Sequence, residues 1–184
     1  MIGFPPSSLQ SGSRPAPAAG ASAPPLQLPA WGLEGGLPAV AAFLTVGPVF
    51  VQAPLVRLAP MAAALATVPL LLLALALTRH ADPRRQQLGL LLVGFAGSWL
   101  GGSVFWGWFR QYPIWHLPIE GFALPLALGG LGTRWRPGAW FYLASLLGTA
   151  VTDGLIATTG LMPFWPPVVL APPEAAATDR NSTV

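Results

Sequence analysis

The chain has 184 residues and a formal net charge of +3, and only 8% of its residues are charged. Soluble domains carry about 25% charged residues, whereas here hydrophobic residues reach 53% and the mean hydropathy is +0.59. These values exclude an ordinary water-soluble globular protein. The length leaves room for four or five helices and tails. The chain has no cysteine, which excludes disulfides, thiolate metal sites and cysteine nucleophiles.

All of the basic residues are arginine, without a single lysine. Arginine binds phosphate through its planar guanidinium fork. However, the chain also has 21 glycines and 22 prolines, and this combination is typical of a GC-rich coding sequence. The basic isoelectric point therefore does not indicate nucleic-acid binding, and no nucleic acid is expected as a partner.

Four long stretches carry no charged residue. They are residues 37–56, 58–78, 86–109 and 138–152. Each approaches the ~20 apolar residues that cross a bilayer core of roughly 30 Å. The sequence therefore predicts an integral membrane protein with several spans, whose first partner is the lipid bilayer.

In chain order, residues 1–33 are rich in Pro, Ala, Ser and Gly and are predicted to be a disordered tail. The helices of a transmembrane domain over 34–168 follow. They are predicted at residues 37–56 (kinked by Pro48 and Pro54), 59–78, 86–109, 118–133 and 138–160. Residues 169–184 are predicted to be a second disordered tail. The predicted fold class is an all-α polytopic transmembrane bundle of about five helices.

The fourth helix is the weakest element of this map. Only 121–133 is uncharged, and Pro125 lies inside it. A re-entrant or tilted interfacial segment is the alternative to a short crossing helix.

Arginines near the span ends predict the orientation. With five crossings, Arg79, Arg84, Arg85, Arg134 and Arg136 share the side of the N-terminal tail. Arg57, Arg110 and the more distant Arg180 lie on the other side. The sequence therefore predicts a cytoplasmic N-terminus and a C-terminus on the opposite side.

Asp153 lies inside the last predicted span, where a carboxylate costs at least ~2.5–3.5 kcal/mol unless it is partnered or protonated. Ser145, Thr149 and Asp153 recur every four residues and share a helix face. This stripe predicts either a proton, ion or head-group site, or a structural aspartate that holds helices together.

A second group of polar residues follows the third helix, where tryptophans typical of a membrane boundary surround Arg110, His116 and Glu120. The five-helix map places this segment at the same end as Asp153. The predicted intramembrane polar site is therefore Asp153, Glu120, His116, Arg110 and Thr149, with Arg110 as a possible ion-pair partner of either acid.

No known catalytic signature occurs, so no catalytic residue is predicted and an enzyme is not expected. The two histidines, His80 and His116, are predicted at opposite ends of the bundle. This separation disfavours a haem with two histidine ligands, although one axial ligand at His116 stays open. No metal site and no cofactor are predicted.

The third helix carries small residues at close spacing, namely Gly94, Ser98, Gly102, Gly97 and Gly101. Small residues let helix backbones approach closely in lipid. They predict helix packing within the chain, with self-association or docking onto a larger membrane complex as the alternative.

Three segments carry a resemblance to a known family: residues 101–108 (GGSVFWGW), 115–120 (WHLPIE) and 146–153 (LLGTAVTD). The chain resembles a cyanobacterial family of small multi-pass membrane proteins with no assigned function. The resemblance covers about residues 40–170. It implies a thylakoid or plasma-membrane protein of a cyanobacterium and transfers no active site.

Two functions follow as expectations. The first is a non-enzymatic accessory, assembly or scaffold component of a membrane complex. The alternative is a small transporter or channel-like protein for protons, ions or a small solute, with Asp153 and Glu120 at its working site.

Overall fold

The computed structural model of the chain describes residues 36–172, and within this range the protein is all-helical. The predicted tail over 1–33 and most of the tail over 169–184 lie outside the described residues. The α-helices are α1 (Leu37–Val46), α2 (Val49–Leu58), α3 (Pro60–Leu65), α4 (Thr67–Thr78), α5 (Pro83–Val104), α6 (His116–Glu120), α7 (Leu124–Gly130), α8 (Arg136–Thr158) and α9 (Trp165–Leu170). A π-helical turn, Phe105–Phe109, extends α5.

Four helical stretches are long and apolar enough to cross a membrane. They are Leu37–Leu58 (22 residues), Pro60–Thr78 (19 residues), Pro83–Phe109 (27 residues) and Arg136–Thr158 (23 residues). At 1.5 Å per residue, even the shortest spans roughly 28 Å. The predicted helical bundle is confirmed, and these four stretches fit an integral membrane protein.

Helix α4 runs antiparallel to α5. Gly89, near the start of α5, lies against Ala74 and Thr78 near the end of α4. Farther along α5, the indole nitrogen of Trp99 donates a hydrogen bond to the carbonyl of Ala63, just before α4, at 2.8 Å. The sequence order is therefore reversed between the two helices, as consecutive spans require.

Helix α8, by contrast, runs parallel to α5. The backbone of Gly94, in the middle of α5, touches that of Gly138, near the start of α8, and a Cβ on Gly94 would overlap the Gly138 carbonyl. Near the ends of the two helices, His116 stacks on Phe105 with ring centroids 4.0 Å apart and reaches Asp153 of α8. Because α5 and α8 point the same way, the chain between them has to return along the bundle.

Helices α6 and α7 make that return as one broken helical segment. Glu120 of α6 lies against Gly101 of α5, and Gly130 of α7 lies against Ala139 at the start of α8. The segment therefore runs back along the bundle, from the level of Gly101 toward the start of α8. The predicted short fourth helix exists, but as two pieces.

Proline explains why the fourth segment is broken. Pro125 occupies the first turn of α7, where its missing N–H costs nothing and its fixed φ favours helix initiation. Gly121 ends α6. The sequence predicts a single helix with Pro125 inside it, whereas in the structure Pro125 lies in the first turn of a second helix.

Helix α5 is the centre of the bundle. In the most apolar part of Pro83–Phe109, 56% of the residues are buried, whereas in that of Leu37–Leu58 the share is 6%. The largest core cluster consists of Leu91, Phe95 and Trp99 of α5 with Phe141 of α8. The rings of Phe95 and Phe141 meet edge to face with centroids 6.0 Å apart, a favourable aromatic geometry.

The chain after α8 folds back over the end of the bundle. Arg57 donates to the carbonyl of Val169 at 3.2 Å, and Trp165 donates to the carbonyl of Arg110 at 2.6 Å. The last helix, α9, therefore ends at Leu170, two residues beyond the predicted domain end. The sequence does not predict α9, whose first turn contains Pro166 and Pro167.

Candidate functional site

The candidate site lies where α5, α6 and α8 meet at one end of the bundle. Helix α6 supplies His116 and Glu120, which share a face because they are four residues apart. Helix α8 supplies Asp153 and Thr149, also four residues apart. The structure thus brings together four of the five residues that the sequence singled out as a polar site.

His116 lies between the two acids. Its Nδ1 is 2.9 Å from Oδ1 of Asp153, and its Nε2 is 3.1 Å from Oε1 of Glu120. The three side chains are only 8%, 14% and 15% exposed, in the order His116, Asp153 and Glu120. Both ring nitrogens of one buried imidazole therefore face carboxylates.

Thr149 extends this row of polar groups. Its hydroxyl donates a hydrogen bond to the second carboxylate oxygen of Glu120, Oε2, at 2.7 Å. Both oxygens of Glu120 are thus engaged, one by the imidazole and one by the hydroxyl. The result is a continuous chain of four hydrogen-bonding groups, from Asp153 through His116 and Glu120 to Thr149.

Aromatic rings enclose the imidazole. Phe105 stacks on it at an interplanar angle of 18°, and Trp106 meets it edge-on with centroids 5.6 Å apart. Trp165 approaches from α9 at 6.3 Å. Aromatic faces attract a cation, and the rings exclude water, so the electrostatic interactions inside the site are strong.

Charge balance in this site depends on protons. With both carboxylates ionised and His116 protonated, the three residues carry one net negative charge. Burial opposes any net charge, and one further proton makes the group neutral.

Arg110 does not supply the missing positive charge. Its guanidinium donates to the carbonyl of Trp106 at 3.5 Å. Among residues 36–172, no ion pair joins Arg110 to Glu120 or Asp153. Arg110 lies at the predicted end of the bundle, but the ion pair allowed for it there does not form.

A second layer of polar groups, which the sequence analysis missed, centres on Gln52 of α2. Its amide nitrogen donates to the Trp99 carbonyl and to the Ser103 hydroxyl, both at 2.9 Å. The position of a Cβ on Gly102 would lie 3.3 Å from that nitrogen and 3.5 Å from Oε1 of Glu120. Gln52 is the one side-chain amide in α2, an otherwise largely apolar helix, and this contrast could have identified it as a partly buried polar residue.

The geometry does not suit a metal ion. Both nitrogens of His116 are turned toward acids, so no lone pair is left to converge with the carboxylates on a common point. No cluster of three or more His, Cys, Asp or Glu in the described part of the chain is arranged to hold a metal. His80 lies at the opposite end of the bundle, between α4 and α5, where its ring contacts Arg85.

Glycines of the predicted small-residue group on α5 pack against other parts of the same chain. Gly94 lies against Gly138, Gly97 against the ring of Tyr142, and Gly101 against Glu120. Gly101 and Gly102 leave the space that the α6 side chains of the site fill. The Ser98 hydroxyl is buried, and no hydrogen-bond partner for it occurs among the described residues.

A family model described as a protein of unknown function, DUF3120, matches residues 41–183. The chain belongs to this family. The predicted resemblance to an uncharacterised family is therefore confirmed, whereas a cyanobacterial origin stays a prediction. No curated protein and no solved structure matches the chain. DUF3120 membership carries no activity and no residue role, so the function is argued from the site.

Proposed function

We propose that the protein is a small membrane transport protein that carries protons, and that Asp153, His116 and Glu120 are its working groups. The observation that carries the proposal is the buried imidazole with a carboxylate on each ring nitrogen, at 2.9 and 3.1 Å. Ionisable groups buried within a membrane bundle are costly, and chains of Asp, Glu and His mark proton relays.

The arrangement supports a proton relay in which His116 gains one proton and loses another. A proton on the Asp153 carboxyl moves to Nδ1 of His116, while the proton on Nε2 moves to Oε1 of Glu120. Asp153 is left as a carboxylate, Glu120 as a carboxylic acid, and His116 as the neutral Nδ1–H tautomer. The ring then has to return to the Nε2–H tautomer before the next proton, which makes this reset a candidate rate-limiting step.

The position of the site within the bundle supports an orientation of the chain in the membrane. The site lies at the end of Arg57 and Arg110, opposite the arginine-rich loops at 79–85 and 134–137. The positive-inside rule places those loops in the cytoplasm. The proposal therefore puts the N-terminus in the cytoplasm, the C-terminus on the opposite side, and the three titratable groups in the non-cytoplasmic half of a thylakoid or plasma membrane.

An accessory or scaffold role is the second candidate. Its main support in the sequence was the small-residue seam on α5. Because Gly94, Gly97 and Gly101 contact residues of the same chain, these small residues no longer favour docking of a partner protein. A structural lock made of Asp153, His116 and Glu120 fits the scaffold role, and the experiment below separates the two.

The test measures proton flux in sealed proteoliposomes that contain a pH-sensitive dye and an imposed membrane potential. We expect wild-type vesicles to change internal pH faster than empty vesicles. His116→Gln and Asp153→Asn should bring the rate down to that of empty vesicles, with reconstituted protein unchanged. Asp82→Asn, which alters an exposed acid outside the site, should keep the wild-type rate.

Two results would contradict the proposal. One is a wild-type rate equal to that of empty vesicles. The other is a flux that His116→Gln and Asp153→Asn leave unchanged. If these variants instead lower the amount of folded protein without any flux in the wild type, the three residues form a structural lock and the scaffold role stands.

A further inference from the structure

We propose that a groove on the bundle surface, distinct from the proton site, binds one anionic phospholipid. Helices α4, α5, α7 and α8 form the groove, which has a volume of about 630 Å³. This lies within the roughly 300–1,000 Å³ typical of small-molecule sites. One acyl chain occupies the groove, and the headgroup phosphate lies at Arg134.

Glycines contribute five of the residues that line the groove. Gly94, Gly97 and Gly129 are among its lining residues, together with Gly130 and Gly138. A Cβ on Gly129 would meet no atom within 4 Å, so open space adjoins this glycine, whereas Gly94 and Gly138 bring α5 and α8 into backbone contact. A slot remains that an unbranched chain can enter from the lipid.

The lining favours a hydrocarbon chain over any polar ligand. Leu71, Phe122 and Leu126 form its exposed walls. The Tyr142 hydroxyl, one of the few polar groups there, is already engaged, because it accepts a hydrogen bond from the Ala123 amide at 3.0 Å and donates to the Glu120 carbonyl. A polar or ionic ligand would be desolvated in this groove without gaining hydrogen bonds.

Charge complementarity selects the headgroup. Thr133 and Trp135 are among the residues that line the groove, and the residue between them is the exposed Arg134, whose guanidinium lies 5.0 Å from the centre of the Trp135 ring. Arginine binds phosphate oxygens through two parallel hydrogen bonds, and tryptophan prefers the headgroup depth of the bilayer. An apolar slot that ends at an arginine therefore fits a phospholipid with net negative charge.

The experiment uses the full chain, purified in detergent and analysed by native mass spectrometry with added lipid. The two probes are phosphatidylglycerol and phosphatidylcholine with identical acyl chains. We expect one phosphatidylglycerol per chain, bound about fivefold more tightly than phosphatidylcholine, because one arginine near a membrane surface contributes about that preference. Arg134→Gln should remove the preference, whereas Arg84→Gln, in the first turn of α5 and not next to a lining residue in the sequence, should retain it.

A second pair of variants tests the groove itself. Gly129 lines the groove, and Gly148 of α8 does not; a Cβ at either position meets no atom within 4 Å. Gly129→Leu should weaken phosphatidylglycerol binding by about tenfold, a change equivalent to 1.4 kcal/mol. Gly148→Leu adds the same side chain elsewhere and should leave binding unchanged.

Equal binding of the two lipids to the wild type, or equal effects of the two glycine variants, would overturn the proposal. Displacement of the lipid by a second copy of the chain, seen as a dimer that Gly129→Leu abolishes, would also overturn it. If Gly129→Leu fails to fold, the lipid preference of Arg134→Gln decides alone. The groove shares no titratable group with the proton site, so a failed flux measurement leaves this result intact.

Discussion

His116 decides the chemistry of the site because it is the only basic group that contacts either buried acid among the described residues. An isolated carboxylate in a membrane interior becomes protonated, whereas one beside an imidazolium can stay ionised. A single imidazole cannot neutralise two carboxylates. This imbalance of charge supports the proposed proton transfer, and a structural lock made from one arginine and one acid would not have it.

At the same scale, the Thr149 hydroxyl should stabilise the ionised form of Glu120. Thr149→Val keeps the shape and removes the 2.7 Å hydrogen bond to Oε2. We expect a loss of about 1 kcal/mol in the free energy of unfolding, the size of such bonds in membrane bundles. The measurement is unfolding in mixed micelles with increasing denaturing detergent.

Thr152→Val is the matched control for this prediction. Its hydroxyl is exposed and donates only to the Gly148 carbonyl of its own helix. The change in unfolding free energy should stay within about 0.5 kcal/mol. Equal losses for Thr149→Val and Thr152→Val would show that the bond to Glu120 contributes nothing to stability.

Much of the candidate site is predictable from single residues, because a charge inside an apolar stretch is conspicuous. Asp153 and Thr149 share a helix face by spacing alone, and His116 and Glu120 follow the same rule once α6 is helical. Gln52 and Trp165 are not predictable in this way, because their roles depend on which distant backbone each one meets. The distance from Arg110 to the acids also depends on packing, and the predicted ion pair does not occur.

Among the elements, the contact between α5 and α8 depends on glycine. A methyl group on Gly94 would overlap the backbone of Gly138, and backbone atoms cannot move aside as a flexible side chain can. Gly94→Ala should therefore destabilise the protein by about 1–3 kcal/mol, the usual cost of overpacking. Thermal unfolding in detergent provides the measurement.

Gly148→Ala tests the same substitution without the contact. Gly148 lies in α8, and a Cβ there meets nothing within 4 Å. Because alanine favours a helix over glycine by about 0.5–1 kcal/mol, this variant should be slightly more stable than the wild type. A loss of stability at Gly148 as large as that at Gly94 would refute the close approach of α5 and α8.

Element by element, hydrophobic length predicts the four long stretches, but proline is ambiguous in the rest of the chain. Pro54 lies inside α2, Pro125 begins α7, and Pro166 and Pro167 lie in the first turn of α9. The same residue type bends, begins or ends a helix according to the packing around it. Packing also explains why α9 and the break between α6 and α7 are not predictable from the sequence.

On the scale of the whole molecule, α5 is surrounded by the other helices, while Leu37–Leu58 has very few fully buried residues. Large apolar side chains such as Phe50 (77% exposed) and Leu58 (85% exposed) would be costly in water. In lipid these side chains need no cover, and the backbone hydrogen bonds are satisfied within each helix. A bundle of this size therefore needs only one buried helix to organise the other crossings.

The number of membrane crossings determines where the proposed proton site and the groove lie relative to the membrane. If the α6–α7 segment crosses, the loop at Ala81 and the turn at Leu161 lie on opposite sides; if it does not, they lie on the same side. The chain has no cysteine, so Ala81→Cys and Leu161→Cys can each be labelled with an impermeant maleimide in sealed, oriented vesicles. The account predicts labelling of one variant from outside and of the other only after the vesicles are opened. Labelling of both from the same side would contradict it.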